Sequence, residues 1–313
     1  MKEYLKKNQP KFYNLIKNEF SAKKIPHAYL LVGDNTKKPL DYLAMSLICD
    51  EVLACEKCND CRKVKENKYG DIIRLDGKIA SIKKGDIEYI QDTFKKSSLE
   101  GKAKIYIIEN IEISTKEAMN TLLKMLEEPT PGIYAIFTTN NVNRVLPTIL
   151  SRCQIIDIVP DSKEIIWQSL VNDGIDKESA KVLAYLSPSI QIAKDIFDDR
   201  FEYMLVEVMN FIEDLYTKRM NLIINVQTNL LRKYKERDDI KLFLNMLLLA
   251  MKDMFHVKHN QELVYLNHYD FFNQFNIDED KLIKQIEIVL ETLYTIESNA
   301  NLLLLMDSMM YRL

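Results

Sequence analysis

The chain has 313 residues, enough for two or three domains with ample cores. Its 43 Lys and Arg nearly balance 46 Asp and Glu, which excludes a protein that binds nucleic acid by bulk charge. Seven glycines argue against an all-β fold, and the longest apolar run, 242–251, is broken by Asn245 and falls short of the ~18 residues a membrane span needs.

The N-terminal Met1-Lys2-Glu3-Tyr4-Leu5-Lys6-Lys7 has no apolar signal core, so a cytoplasmic protein is expected, with no membrane partner. The first strand-like run is 29–32, entered from His27 and leaving into Gly33; the segment from Pro39 to Leu47 then reads as a helix with proline in its first turn. A phosphate-binding loop at this junction has the spacing G-x-x-x-x-G-K-[ST]. Counted from Gly33, the last three positions hold Lys38, Pro39 and Leu40. The second glycine, the phosphate lysine and the magnesium hydroxyl are absent at unchanged loop length, so no functional ATP site is expected.

Four of the five cysteines follow within thirteen residues: Cys49, Cys55, Cys58 and Cys61. Two consecutive C-x-x-C spacings with a thiol upstream suit a closed tetrahedral Zn2+ site, structural rather than catalytic. Cys49 is expected from the end of the first helix and the other three from the turn after it. A disulfide fits a reducing compartment less well, and a redox pair would stand at the start of a helix after a strand, where this motif is not expected. Residues 57–104 carry thirteen Lys and Arg against eight Asp and Glu, which reads as a solvated lysine-rich face.

Further strand-like runs at 72–75, 105–108, 135–138 and 155–158 alternate with helical segments, the pattern of a parallel α/β sheet. The clearest helix is 114–128, with Ser114-Thr115-Lys116-Glu117 as a capping box and a stripe of Ala118, Met119, Leu122, Leu123 and Leu126. Cys153 reads as an ordinary buried thiol. After Pro160 strand signals fade. A small helical group is expected over 161–199, including 162–172 and 177–186, then long helices over 203–231, 239–255 and 278 to the end, with an aromatic loop at 260–277. The Met-rich terminus reads as bundle core.

Several segments taken together carry a resemblance: Ile105-Tyr106-Ile107-Ile108-Glu109-Asn110, Leu122-Leu123-Lys124-Met125-Leu126-Glu127-Glu128-Pro129, Phe137-Thr138-Thr139-Asn140 and Ser151-Arg152-Cys153, with the cysteine module after the first helix. This ordered set, covering 27–158, resembles the bacterial DNA polymerase III clamp-loader family, and within it the delta-prime branch. The C-terminal half is similar in layout and in its 299–313 ending.

The resemblance implies an AAA+ parallel-sheet domain over 1–160 with a four-cysteine zinc module at 49–61, a helical lid over 161–200 and a helical collar over 201–313. It implies a hetero-pentamer with tau/gamma ATPase subunits and a delta subunit, which loads a sliding clamp onto primer–template DNA. It also implies that Arg152, beside Ser151, reaches in trans into a neighbour's ATP site as an arginine finger. Glu109-Asn110 replaces the paired acids of an active relative. The lid stretch 187–193 lacks the arginine such relatives place there, and Ile192 stands at that position. A non-hydrolysing subunit is the leading reading, in which the isolated chain is no enzyme. The alternatives are a tau/gamma-like motor with an atypical site and a zinc-dependent DNA-binding module. An acid pairing with Arg152 within the chain is the plain reading of that residue.

Overall fold

A computed structural model describes residues 1–95, 98–219, 222, 224, 226–296 and 301–313, in two compact units, Met1–Pro160 and Asp161–Leu313. Parts of the expected segments 203–231, 278 to the end and 299–313, and of the lysine-rich stretch, lie outside the described residues.

In the first unit all five expected strands form: β1 (Ala28–Val32), β2 (Ile72–Asp76), β3 (Lys104–Glu109), β4 (Ile133–Thr139) and β5 (Gln154–Asp157). They pair in parallel in the order β2-β3-β4-β1-β5. Side chains alternate across the sheet with a period of two. Tyr29, Leu31, Ile105, Ile107 and Ile136 enter one core with α1 (Lys2–Asn8), α2 (Pro10–Ser21), α3 (Lys37–Ile48) and α4 (Asn59–Lys65). Ala28, Leu30, Tyr106, Ile108 and Phe137 enter the other, with α5 (Lys84–Phe94), α6 (Lys116–Glu127) and α7 (Pro147–Leu150). Both faces of the inner strands β1, β3 and β4 are covered, which is why these read as near-continuous apolar runs, while the edge strands β2 and β5 are only partly buried.

The cap of α6 differs from expectation. Thr115, not Ser114, is the N-cap, and its hydroxyl accepts from the Ala118 N–H at 3.2 Å. A 3-10 turn at Ile111–Ile113 absorbs the preceding residues, so the helix begins one residue later and the buried Ser114 hydroxyl has no partner. The helix α4 covers residues that the cysteine spacing assigns to a turn.

The second unit is helical, as expected. It contains α8 (Lys163–Asn172), α9 (Lys177–Leu186), α10 (Ile190–Ile196), α11 (Asp199–Thr217), α12 (Arg237–Lys258), α13 (Tyr269–Asn273), α14 (Glu279–Thr295) and α15 (Leu302–Arg312). A π-helical turn at Val226–Leu230 lies within the stretch read as one helix. Met306, Met309 and Met310 are buried in the unit's core, in keeping with their reading as bundle residues. Asp253 is fully buried in α12 and accepts the backbone N–H groups of Val264 and Tyr265, which fixes the aromatic loop after the helix. Among the described residues no helix is long and apolar enough to cross a membrane.

Candidate functional site

In an open parallel sheet, ligands bind at the carboxyl ends of the strands. That corner is built here from Gly33 after β1, Glu109 and Asn110 after β3, and Thr139 at the end of β4. Gly33 is held by its N–H, which donates to the Thr139 carbonyl at 2.8 Å. Its φ is +134°, and a Cβ there would lie 2.5 Å from the Ile158 carbonyl oxygen. Packing of the chain leaving β5 is therefore sufficient reason for this glycine.

The helix after the loop begins at Lys37, two residues before Pro39. Pro39 and Leu40 are buried, Leu40 completely, so the positions where a phosphate lysine and a magnesium hydroxyl would stand serve the core. Lys38 places its ammonium 3.8 Å from the centre of the Tyr4 ring. Asn35, also buried, donates to the Tyr4 hydroxyl at 3.1 Å. The N-terminal helix thus supplies the side chain that the phosphate loop grips.

The second acidic motif is likewise engaged. Arg74 of β2 donates to Asp41 of α3 at 2.7 Å and lies 3.8 Å from Glu109. Burial raises the Glu109 carboxyl above its ordinary range, while the charges of Lys37 and Arg74 oppose the shift. Asn110 sits in the left-handed region at φ 54° and donates through its amide to Asp76 at 2.8 Å. Its N–H donates to the Thr138 hydroxyl at 3.0 Å. Asn110 thus pins the strand end through Asp76, and Glu109 faces both the cations Lys37 and Arg74 and the acids Asp76 and Asp41 of its own chain.

The four cysteines come together. Cys49 terminates α3, Cys58 is the N-cap of α4, and Cys61 lies inside that helix, with Cys55 in the loop between. One ligand atom from each of the four lies within 4.8 Å of the others, and the Cys55 and Cys61 sulfurs are 4.0 Å apart. A tetrahedral site with Zn–S bonds of about 2.3 Å has sulfur–sulfur edges of about 3.8 Å, so a metal ion fits with little movement. The Cys58 N–H donates to Cys55 Sγ at 3.3 Å, and the Cys61 N–H donates to Cys58 Sγ at 3.4 Å. The Lys57 and Cys58 amides draw the Cys55 thiol down to about 7, whereas burial raises Cys49 and Cys61. A divalent cation would favour thiolate at all four. Cys58 does stand at a helix start, as a redox motif would, but no strand precedes it and four sulfurs converge rather than two. Cys153 is remote in sequence and partly buried, its thiol pushed up to about 12 by burial.

Charged tethers join this module to the sheet unit. Lys102 bridges Asp50 and Asp60 at 2.6 and 2.9 Å, and Lys63 pairs with Glu100 at 2.7 Å. The Asp71 carboxylate accepts the N–H groups of Leu99 and Glu100 and the Ser98 hydroxyl, which fixes the loop that carries these partners. Two lysines of the lysine-rich stretch are thus paired with acids distant in sequence.

Arg152 follows α7 at the start of β5, and its side chain is 33% exposed. One of its terminal nitrogens, Nη2, donates to Glu127 Oε1 at 2.9 Å; the other, Nη1, donates to the Thr148 carbonyl at 2.9 Å and the Ser151 hydroxyl at 3.3 Å. Pairing with an acid of its own chain is therefore realised, and the acid is Glu127 of the Leu126-Glu127-Glu128-Pro129 segment. Sequence reasoning did not single out Glu127, Arg74 or Tyr4; the first lies in a quoted motif, and the other two carried no local signal.

A family model described as DNA polymerase III, delta subunit, matches residues 8–162. The DNA polymerase III subunit delta' of Bacillus subtilis is 29% identical over 97% of this chain and 96% of its own length. The DNA polymerase III subunit gamma of Buchnera aphidicola (subsp. Acyrthosiphon pisum) is 32% identical over 54% of this chain, which spans about half (50%) of that relative. A solved gamma subunit-related protein from Thermotoga maritima is similar over 95% of this chain and 97% of its own, at 15% identity and a TM-score of 0.47.

Proposed function

We infer the role of this chain from its family: it belongs to the AAA+ clamp loaders of bacterial DNA polymerase III, as a homologue of the delta-prime subunit. Within a clamp loader it acts as a non-hydrolysing subunit. It occupies a place in a hetero-pentamer with tau/gamma and delta subunits and offers Arg152 in trans to a neighbouring ATPase. Residues 161–200 serve as the lid and 201–313 as the collar through which subunits assemble. The sliding clamp and primer–template DNA are met through the complex.

The observation that carries this reading is the filled phosphate corner. Leu40 and Pro39 are buried where a hydroxyl and a lysine would stand, and Tyr4 engages Asn35 and Lys38. A nucleotide needs backbone amides, a lysine and a magnesium ion bridging its terminal phosphates. Arg152, by contrast, is a planar cation near the surface, suited to charge that develops on a phosphate in transfer.

Cys49, Cys55, Cys58 and Cys61 would hold zinc, which would supply cross-linking of the module and no catalysis. The residues around it fix its attachment: Lys102 and Lys63 join it to the loop before β3, and the Cys58 and Cys61 amides orient the thiolates of Cys55 and Cys58.

The test is reconstitution of the loader with wild-type or Arg152→Ala chain, reading ATP hydrolysis stimulated by clamp and primed DNA. Loss of about 10³-fold or more, the scale of an arginine finger, is the expected limit if this arginine is the sole such cation. Assembly should be unchanged. Full hydrolysis in the variant removes the role, and magnesium-dependent turnover by the isolated chain would favour the tau/gamma-like motor instead.

A further inference from the structure

We propose that Glu127 is a positioning residue for Arg152, holding the guanidinium as a preset fork at the subunit surface; this rests on the reading of Arg152 as a group that acts in trans. A long, exposed arginine ordinarily spends conformational entropy when it meets a phosphate, and a fork fixed beforehand loses less. Three acceptors of this chain fix it here. Nη1 meets the Thr148 carbonyl at 2.9 Å and the Ser151 hydroxyl at 3.3 Å, and Nη2 meets Glu127 at 2.9 Å.

The support is itself built in. Ser151 donates to the same Thr148 carbonyl at 3.1 Å, so its lone pairs face the guanidinium. That carbonyl lies in the four-residue helix α7, where it has no place in a longer helical ladder. Glu127 stands at the last position of α6, a helix anchored by buried Ala118, Met119, Leu122 and Leu126. One edge of the fork is therefore tied to its own turn and the other to a rigid helix.

A guanidinium has five N–H donors. These three contacts occupy at most three of them, so at least two remain for an acceptor arriving from a neighbouring subunit. Glu127 is 49% exposed and makes a single contact with Arg152, a weak pair in energy and an effective one in direction. A carboxylate that gripped the fork from both terminal nitrogens would compete with phosphate; this one leaves that geometry open.

The experiment uses the reconstituted loader with Glu127→Gln, which keeps the side-chain shape, and Glu127→Ala as a second variant, each also combined with Arg152→Ala. ATP concentration is varied under clamp and DNA stimulation, and assembly is followed by gel filtration. Loss of positioning is expected to lower kcat about threefold to tenfold with KM nearly unchanged, since the contact belongs to the transition state. In the Arg152→Ala background neither substitution should reduce the rate further. If Arg152→Ala is impaired while both Glu127 variants match wild type, positioning by Glu127 is overturned and the trans role stands. A faster rate in the Glu127 variants also overturns it, because Glu127 would then be a competitor. An unimpaired Arg152→Ala removes the underlying reading instead.

Discussion

The phosphate corner and the cysteine cluster lie at opposite ends of one helix, α3, and treat their polar atoms in opposite ways. At the start of α3 polar side chains meet partners within the chain: Asn35 and Lys38 meet Tyr4, and Asp41 meets Arg74, which faces Glu109. At its end four sulfurs face one another with two long N–H···S contacts between them, an arrangement that a cation completes. A site that has lost its ligand closes upon its own side chains; one that keeps its ligand leaves donors converging on a centre. On the function proposed above, the same helix carries a retired site and a working one.

The largest effect should come from the cluster. Cys61 is buried and its sulfur faces that of Cys55, so Cys61→Ser removes a ligand and leaves a polar atom in the core. We expect loss of bound zinc and destabilisation of the first unit by about 3 kcal/mol or more, read by metal analysis and denaturant titration. Chelation of the wild-type chain should act in the same direction. A purified chain without zinc, indifferent to chelator, would place both ends of α3 in the same retired class.

Gly33→Ala comes next and asks what the glycine is for. If Gly33 survived for phosphate, the change would be mild in a chain that binds none. Because φ is +134° and a Cβ would meet the Ile158 carbonyl at 2.5 Å, we expect a cost of about 2 kcal/mol or more. Denaturant titration at unchanged m-value reads it, and a neutral result would return the glycine to a ligand role.

Sequence and structure agree where the signal is local and repeated. Five strands announced themselves as apolar runs, most fully the inner β1, β3 and β4, whose side chains are buried on both faces of the sheet, and the four cysteines did so by spacing alone. The cap of α6 was displaced by one residue, since Ser114 and Thr115 have the same cap chemistry and only the preceding 3-10 turn chooses between them. What stayed illegible was long-range. Glu127 and Arg152 are 25 residues apart and Asp41 and Arg74 are 33 apart, and no periodicity links such pairs. The loop and its lost lysine could be read, but not that Tyr4 from the N-terminal helix occupies the side chains left behind.

Glu109 gives a pH test of the closed corner. Burial raises its carboxyl in the folded chain, so the folded state holds that proton more tightly than the unfolded one. Its contribution is fully present below the unfolded carboxylate value of about 4.3 and is lost as pH rises through the raised folded value. Glu109→Gln cannot titrate, and Arg74 keeps Asp41 at 2.7 Å. The variant's stability should therefore fall less than that of wild type over this window in parallel denaturation curves. Equal slopes would mean that Arg74 and Lys37 balance burial at this carboxylate.

The smallest expected effect separates the two ends of α3 most directly. Lys38 is half-buried, with its ammonium over the Tyr4 ring, and Lys38→Gln removes that contact at a cost of about 0.5–1 kcal/mol. A lysine kept for phosphate would show a second consequence, loss of nucleotide affinity. The position Lys38 occupies belongs to a glycine in a working loop, and its charge is turned toward the chain's own aromatic ring. Calorimetric titration with ATP and magnesium should therefore give the same result for variant and wild type, while unfolding shows the small loss. Affinity present in wild type and abolished by Lys38→Gln would mean that the corner still recognises phosphate, and the contrast between a retired and a working end would fail.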